Sequence, residues 1–212
     1  NTMEADRTIG AAQSLMLLHP ETEFINSAGN AFQYLGFGFC SEYRLPLREL
    51  NFPPVKEIAY ASGAAILMRA DLLKANGLWD NDFFLYHEDL EYSFRLRAVG
   101  YKIVLARDSV FYHKYQFSRS ISKFYWMERN RYGTMLMYFR WPTLLLLMPM
   151  ELVLEIGLWL FAFKGGWARE RLKVYQYWLK PSSWKLWLGK IKNIQSIRKV
   201  TDKDLFKNSL SG

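Results

Sequence analysis

One cysteine, Cys40, is the entire thiol content of this 212-residue chain. No disulfide can form within it, nothing calls for an oxidising compartment, and the plain reading of Cys40 is a small buried hydrophobe. The polar, low-complexity composition of disorder is absent as well. With 50% hydrophobic and 17% aromatic residues against 23% charged, a disordered tail and a collagen-like repeat are excluded. The N-terminal residues have no charged segment leading into an apolar one, so they do not read as a signal peptide. They enter the apolar stretch Ser14–Leu18 without introduction, and the expectation is a chain that begins in mid-domain.

What is present is unevenly placed. Residues 164–212 carry twelve Lys and Arg against three acids, so the first 163 residues hold sixteen bases and seventeen acids. A near-neutral body with a basic, Trp-rich end points to an anionic surface, lipid headgroups or nucleic acid. Just before that end, Trp141–Phe163 is apolar except for Thr143, Glu151 and Glu155, with Pro142 and Pro149 inside it. It is long enough to span a bilayer core. The two carboxylates and the bases on both flanks argue against a simple crossing. The favoured expectation is a helix lying in the interface or a hairpin bent near Pro149, over a true span or a soluble core helix. Tyr175, Tyr177, Trp178, Trp184 and Trp187 among the lysines suit headgroup depth.

Along the body, short strands are expected at Leu15–Leu18, before His19-Pro20, and at Glu23–Ser27. Residues 30–57 read as a long loop over a binding region. Ile58–Arg69 reads as a buried strand whose small central residues let a ligand approach. A short helix over Asp71–Ala75 stops at Gly77. The four-residue recurrence of Leu90, Phe94 and Ala98 predicts a helix over Glu88–Val99, ended by Gly100. Strands at Lys102–Leu105 and Ser109–His113 around an Arg107-Asp108 turn, then a helix over Ser118–Phe139, complete an α/β pattern.

Three acidic clusters are candidates for chemistry. Asp80-Asn81-Asp82 has a spacing that holds divalent metals, but its aromatic flanks favour a capped turn. Glu88-Asp89 opens a helix, and either caps it or offers a general base whose burial raises its pKa. Glu21-Thr22-Glu23 reads as a solvated loop. His113, at a strand end, reads alone as a packed or surface residue. Together with the helix-opening pair it can face a ligand at the carboxyl edge of a sheet.

The ordered set Gly63–Arg69, Gly77–Arg95, Gly100-Tyr101 and Val110–His113, followed by Tyr125–Asn130, resembles family 2 glycosyltransferases, over about residues 6–140. The nearest look is to the rhamnosyltransferase-like and galactofuranosyltransferase-like enzymes of surface polysaccharides. The resemblance implies an inverting transferase with Asp89, beside Glu88, as base for the acceptor hydroxyl. It implies His113 as a ligand of Mn2+ or Mg2+, Gly63 at the donor pocket, Trp79 and Asp80 near the acceptor, and Arg129 toward the diphosphate. The Gln-x-x-Arg-Trp pattern of processive members is not found, which favours a non-processive enzyme. The family's nucleotide-binding half, with its Asp-x-Asp, would precede these residues. The expected fold is therefore the acceptor-side half of a GT-A domain over 1–140, with a membrane-associated helical tail over 141–212.

The partners so implied are a nucleotide-sugar donor, a lipid-linked or other glycan acceptor and an anionic membrane surface on the cytoplasmic face of the cell membrane. The rival is a degenerate or split transferase that serves as a docking module without catalysis. Nucleic acid is not an expected partner, because the bases alternate with Trp and Leu and no RNA-binding motif occurs.

Overall fold

The computed structural model describes residues 2–114 and 120–208. After a one-turn helix α1 (Thr2–Ala5) come β1 (Ile9–Leu18), β2 (Ile25–Ser27), β3 (Asn30–Phe32), β4 (Gly38–Cys40), β5 (Val55–Glu57) and β6 (Ile66–Met68). Next are α2 (Ala70–Asn76), α3 (Glu88–Ala98) and β7 (Lys102–His113), and then α4 (Lys123–Tyr138), α5 (Trp141–Lys164), α6 (Ala168–Trp178), α7 (Pro181–Ile197) and α8 (Asp202–Leu205). The class is mixed α/β.

The main sheet has the order β2-β1-β7-β5, with β6 pairing the N-terminal part of β1. Only β1 and β7 are parallel; β2, β5 and β6 run against them. β1 is flanked on both sides and nine of its ten residues are buried, which is why it reads as an almost unbroken apolar run. β3 and β4 form a separate hairpin.

Helix α3 is the hub. Tyr92 and Leu96 face the sheet with Leu15, Ile25 and Ile103. Leu90, Phe94 and Ala98 face the other way, toward Phe32, Phe83, Tyr138 and Trp187. A helix buried on all sides has to pair its polar groups internally. Glu91 does so with Arg95 Nε at 3.0 Å and the Tyr138 hydroxyl at 2.6 Å. α2 stops as expected at Gly77, which has φ +84°.

Several expectations change. Within 30–57 lie three strands, and β5 belongs to the main sheet through pairing of Val55–Glu57 with Ala106–Val104, a long-range partnership with no local signature. Residues 58–65 are not strand. There Ser62 and Gly63 give their N–H groups to the side chains of Gln13 (2.7 Å) and Asp89 (3.1 Å) instead of a ladder. The two strands expected around Arg107-Asp108 are one, with a bulge after Ala106, and the Arg107 N–H is tied to the Pro54 carbonyl at 2.9 Å. The helix expected from Ser118 is described from Lys123; Ser118 and Arg119 lie outside the described residues.

The hairpin bent near Pro149, one of the two interfacial arrangements expected, does not occur. α5 runs unbroken for 24 residues, because losing the bond to the Leu145 carbonyl does not break a helix pinned on its other face by Glu151 and Glu155. Nor is residue 140 a break in packing. Trp187, Ile194 and Leu205 share one core with Phe32, Phe83 and Phe94, so the C-terminal helices are part of the body.

Candidate active site around Asp89

The segment leading into α3 is conformationally costly. Phe84, Tyr86 and His87 all have left-handed backbones, with φ of +52°, +63° and +66°, at about 1–2 kcal/mol each for residues with a side chain. Three consecutive buried residues of α4 hold it. The Asn130 amide donates to the carbonyls of Phe83 (2.7 Å), Leu85 (3.0 Å) and Tyr86 (2.6 Å). Arg129 Nη2 donates to the Asp82 carbonyl. Arg131 Nη1 donates to the Leu35 carbonyl at 2.7 Å, and the next carbonyl, Gly36, accepts from His87 Nε2 at 3.0 Å. Burial pushes the His87 pKa down to about 4, so a neutral ring fills that role.

This cradle delivers Asp89 to Gly63. The Asp89 carboxylate accepts the Gly63 N–H (3.1 Å) through one oxygen and the Leu90 N–H (2.8 Å) through the other. Both bonds favour the anion, but burial outweighs them and the Asp89 pKa is raised. The approach is close: a Cβ on Gly63 would stand 3.1 Å from the Trp79 ring and 3.6 Å from Asp89 Cβ. Trp79 is itself stacked on Tyr92 at 5.6 Å. Glu88 is pushed up to about 7, first by burial and then by the charge of Asp89. Asp89 also acts on Cys40 and Tyr60, raising both pKa values behind the larger effect of burial. The site is thus a carboxylate pair bordered by Gly63, Trp79, Cys40 and Tyr60, and it can accept a proton from a hydroxyl presented to it.

Other expected residues lie elsewhere. Asp80 accepts the Asp82 N–H at 2.9 Å, as a capped turn does. Lys190 of α7 reaches both carboxylates, at 2.5 Å and 2.7 Å. Arg129 is spent on the Asp82 carbonyl and lies over the Trp126 ring at 4.6 Å. His113 ends β7 opposite Leu18, with Nδ1 against Asn26 Oδ1 at 2.8 Å, and burial lowers its pKa. No direct contact between His113 and Asp89 occurs among the described residues.

A buried polar relay lies between their neighbourhoods. Gln13 donates to Ser27 Oγ (3.1 Å) and accepts the Ser62 N–H (2.7 Å), and Ser27 donates to Asn30 (2.7 Å). Among the described residues no group of three His, Cys, Asp or Glu side chains is placed to hold a metal ion. Next to His113 Nδ1 stands the amide oxygen of Asn26, and the carboxylates that the resemblance would set beside it belong to the Asp-x-Asp of the half expected to precede these residues.

Sequence reasoning missed Gln13, Asn26, Asn130 and Arg131. An amide within the apolar run of β1 was a visible signal for Gln13. The others owe their roles to partners at least 44 residues away.

No family model and no curated protein sequence matches this chain. Among solved structures it is similar to the crystal structure of GalNAc-T7 with UDP, GalNAc and Mn2+, at 14% identity and a TM-score of 0.44. The match covers 66% of this chain and 28% of that one, so the chain spans little more than a quarter of that protein's length. At that score the similarity carries no weight for fold or activity here.

Proposed function

We propose that the chain carries the acceptor side of a sugar transferase of the family 2 kind, using a nucleotide-sugar donor on the cytoplasmic face of a membrane. What supports the reading is Asp89, fixed by the Gly63 and Leu90 N–H groups at the mouth of α3 with Trp79 beside it. In the proposed step the acceptor O–H gives its proton to Asp89. Its oxygen bonds to the anomeric carbon as the bond to the departing diphosphate breaks, with inversion. A raised pKa makes Asp89 a stronger base once ionised. Gly63 leaves room at the carboxylate, and Trp79 offers an apolar face for a sugar ring. The acceptor is a glycan, lipid-linked where the membrane holds it.

Asp89→Asn in the full-length protein is the test. A general base is worth about 10²–10⁴-fold, so transfer from a nucleotide sugar should drop by that range while the circular dichroism is unchanged. Undiminished transfer would remove Asp89 from the role. The second reading, a docking module without catalysis, is supported by the exposed apolar face of α5. It expects no turnover with any nucleotide sugar and no effect of the Asn variant on membrane binding.

A further inference from the structure

Helix α5 is amphipathic in an inverted sense. Its two carboxylates face the protein: Glu151 meets Arg131 at 2.9 Å, and Glu155 meets Arg131 at 3.3 Å, Arg171 and the hydroxyls of Tyr132 and Tyr175. Its other face is bare hydrocarbon. Leu146, Val153 and Leu160, seven residues apart and therefore on one stripe, are 78%, 71% and 67% exposed.

A second apolar surface lies between α5 and α7, a cleft of about 420 Å³ lined by Trp141, Leu144, Trp184, Leu188 and Ile191 with Arg140 and Gln195 at its polar side. An exposed patch of this extent marks a docking surface. Its rim is positive. Lys164, Lys180 and Lys185 are exposed beside Phe163, Leu179 and Trp184, and among the described residues none has an ion-pair partner. Apolar chains bordered by lysines complement an anionic lipid leaflet.

By length and composition α5 could cross a bilayer, but the fold forbids a single crossing. Segments before and after α5 are bound to each other: Asp80 to Lys190 at 2.5 Å, and Arg97 to the Lys207 carbonyl at 2.7 Å. Trp167, just past α5, stacks at 4.4 Å on Phe124 at the start of α4, so α5 runs back along α4. Those contacts cannot persist with the two segments on opposite sides of a membrane.

We infer that α5 lies in the plane of an anionic leaflet, its Leu146–Val153–Leu160 stripe in the hydrocarbon and its Glu151–Glu155 face sealed by the protein. This does not depend on the chemistry of Asp89, since the test reads depth and not turnover. In a Cys40→Ser background, Leu146→Cys, Val153→Cys and Leu160→Cys each receive an environment-sensitive fluorophore. They are mixed with phosphatidylcholine–phosphatidylglycerol vesicles whose chains are brominated near the headgroup or near the methyl end.

The expected result is equal quenching at the three positions, stronger with the shallow bromines. The stripe is about 21 Å long at 1.5 Å per residue, so a crossing helix would instead place Val153 deep and the other two shallow. That pattern overturns the inference, as does no quenching by either lipid. Labels shielded without lipid, with a dimer in sedimentation, would assign the face to a second copy of the chain and also overturn it. Lys180→Ala with Lys185→Ala should weaken binding to the anionic vesicles on the order of thirtyfold and leave the weaker binding to neutral ones unchanged.

Discussion

Trp187 of α7 presses against Gly133 of α4: a Cβ at residue 133 would stand 2.2 Å from the indole, which is itself fully buried. Gly133 is therefore a contact surface and not a loose point in the helix. Gly133→Ala should destabilise the protein by about 1–3 kcal/mol through overpacking, despite the better helix propensity of alanine. Gly189 of α7 has nothing within 4 Å of its added Cβ. The same substitution there should stabilise by about 0.4–1 kcal/mol. Urea unfolding of both variants checks the opposite signs.

Asn130 is expected to matter more than its neutral side chain suggests. Its amide offers two N–H bonds to three carbonyls of the left-handed segment, and its oxygen is fixed by Arg129 Nε at 2.9 Å. Asn130→Ala leaves those carbonyls without a buried donor, at about 1–3 kcal/mol per unsatisfied group. Asn130→Asp should be worse, because it sets a carboxylate oxygen against them. Hydrogen exchange should quicken over residues 83–87, and sugar transfer should fall with it, because Asp89 follows directly. Unaltered exchange in Asn130→Ala would separate the loop from α4.

The charges of this protein divide sharply by burial. Arg131 is fully buried and meets Glu128 at 3.4 Å as well as Glu151 and Glu155. Arg131→Met strands Glu151 and the Leu35 carbonyl and leaves Glu128 and Glu155 to Arg171, and a loss of about 3–5 kcal/mol is expected. Arg44 and Glu21 form an equally well-shaped pair at 3.0 Å with both side chains about half exposed. Arg44→Met should leave the urea midpoint close to that of the parent, because solvent screens the pair. Comparable losses in the two variants would mean that the α4–α5 cluster is more hydrated than its geometry implies.

That cluster also marks the limit of what the sequence made legible. Helix α3 could be read from the recurrence of Leu90, Phe94 and Ala98, and the stops at Gly77 and Gly100 from the need for positive φ. Those are local properties. In the sequence Glu151 and Glu155 argue only against a simple crossing, and nothing local shows that Arg131 and Arg171 cover them. Likewise Arg107-Asp108 has the polarity of a turn, and only its tether to Pro54 makes it a bulge inside β7. Of the expected site, Asp89, Gly63 and Trp79 converge. Asp80 is bound by Lys190 from the C-terminal helices, and no pattern within the first 140 residues could announce that partner.

The pair Glu88 and Asp89 should betray itself in the pH dependence of stability. The folded-state pKa of Glu88 is raised to about 7 from an ordinary 4.5, by burial first and the Asp89 charge second. Between those two values the native state holds a proton that the unfolded chain has released. The resulting stabilisation is complete below about pH 4.5 and is lost as pH rises through about 7. Glu88→Gln carries no such proton, so relative to the wild type it should gain stability on going from pH 5 to pH 8 by urea unfolding. Asp89→Asn removes the second cause alone, and the fall in stability should then move to lower pH without disappearing. If Glu88→Gln follows the parent's pH profile throughout, Glu88 is hydrated and the two carboxylates do not share a desolvated site. A base poised next to a protonated neighbour would then have no structural basis.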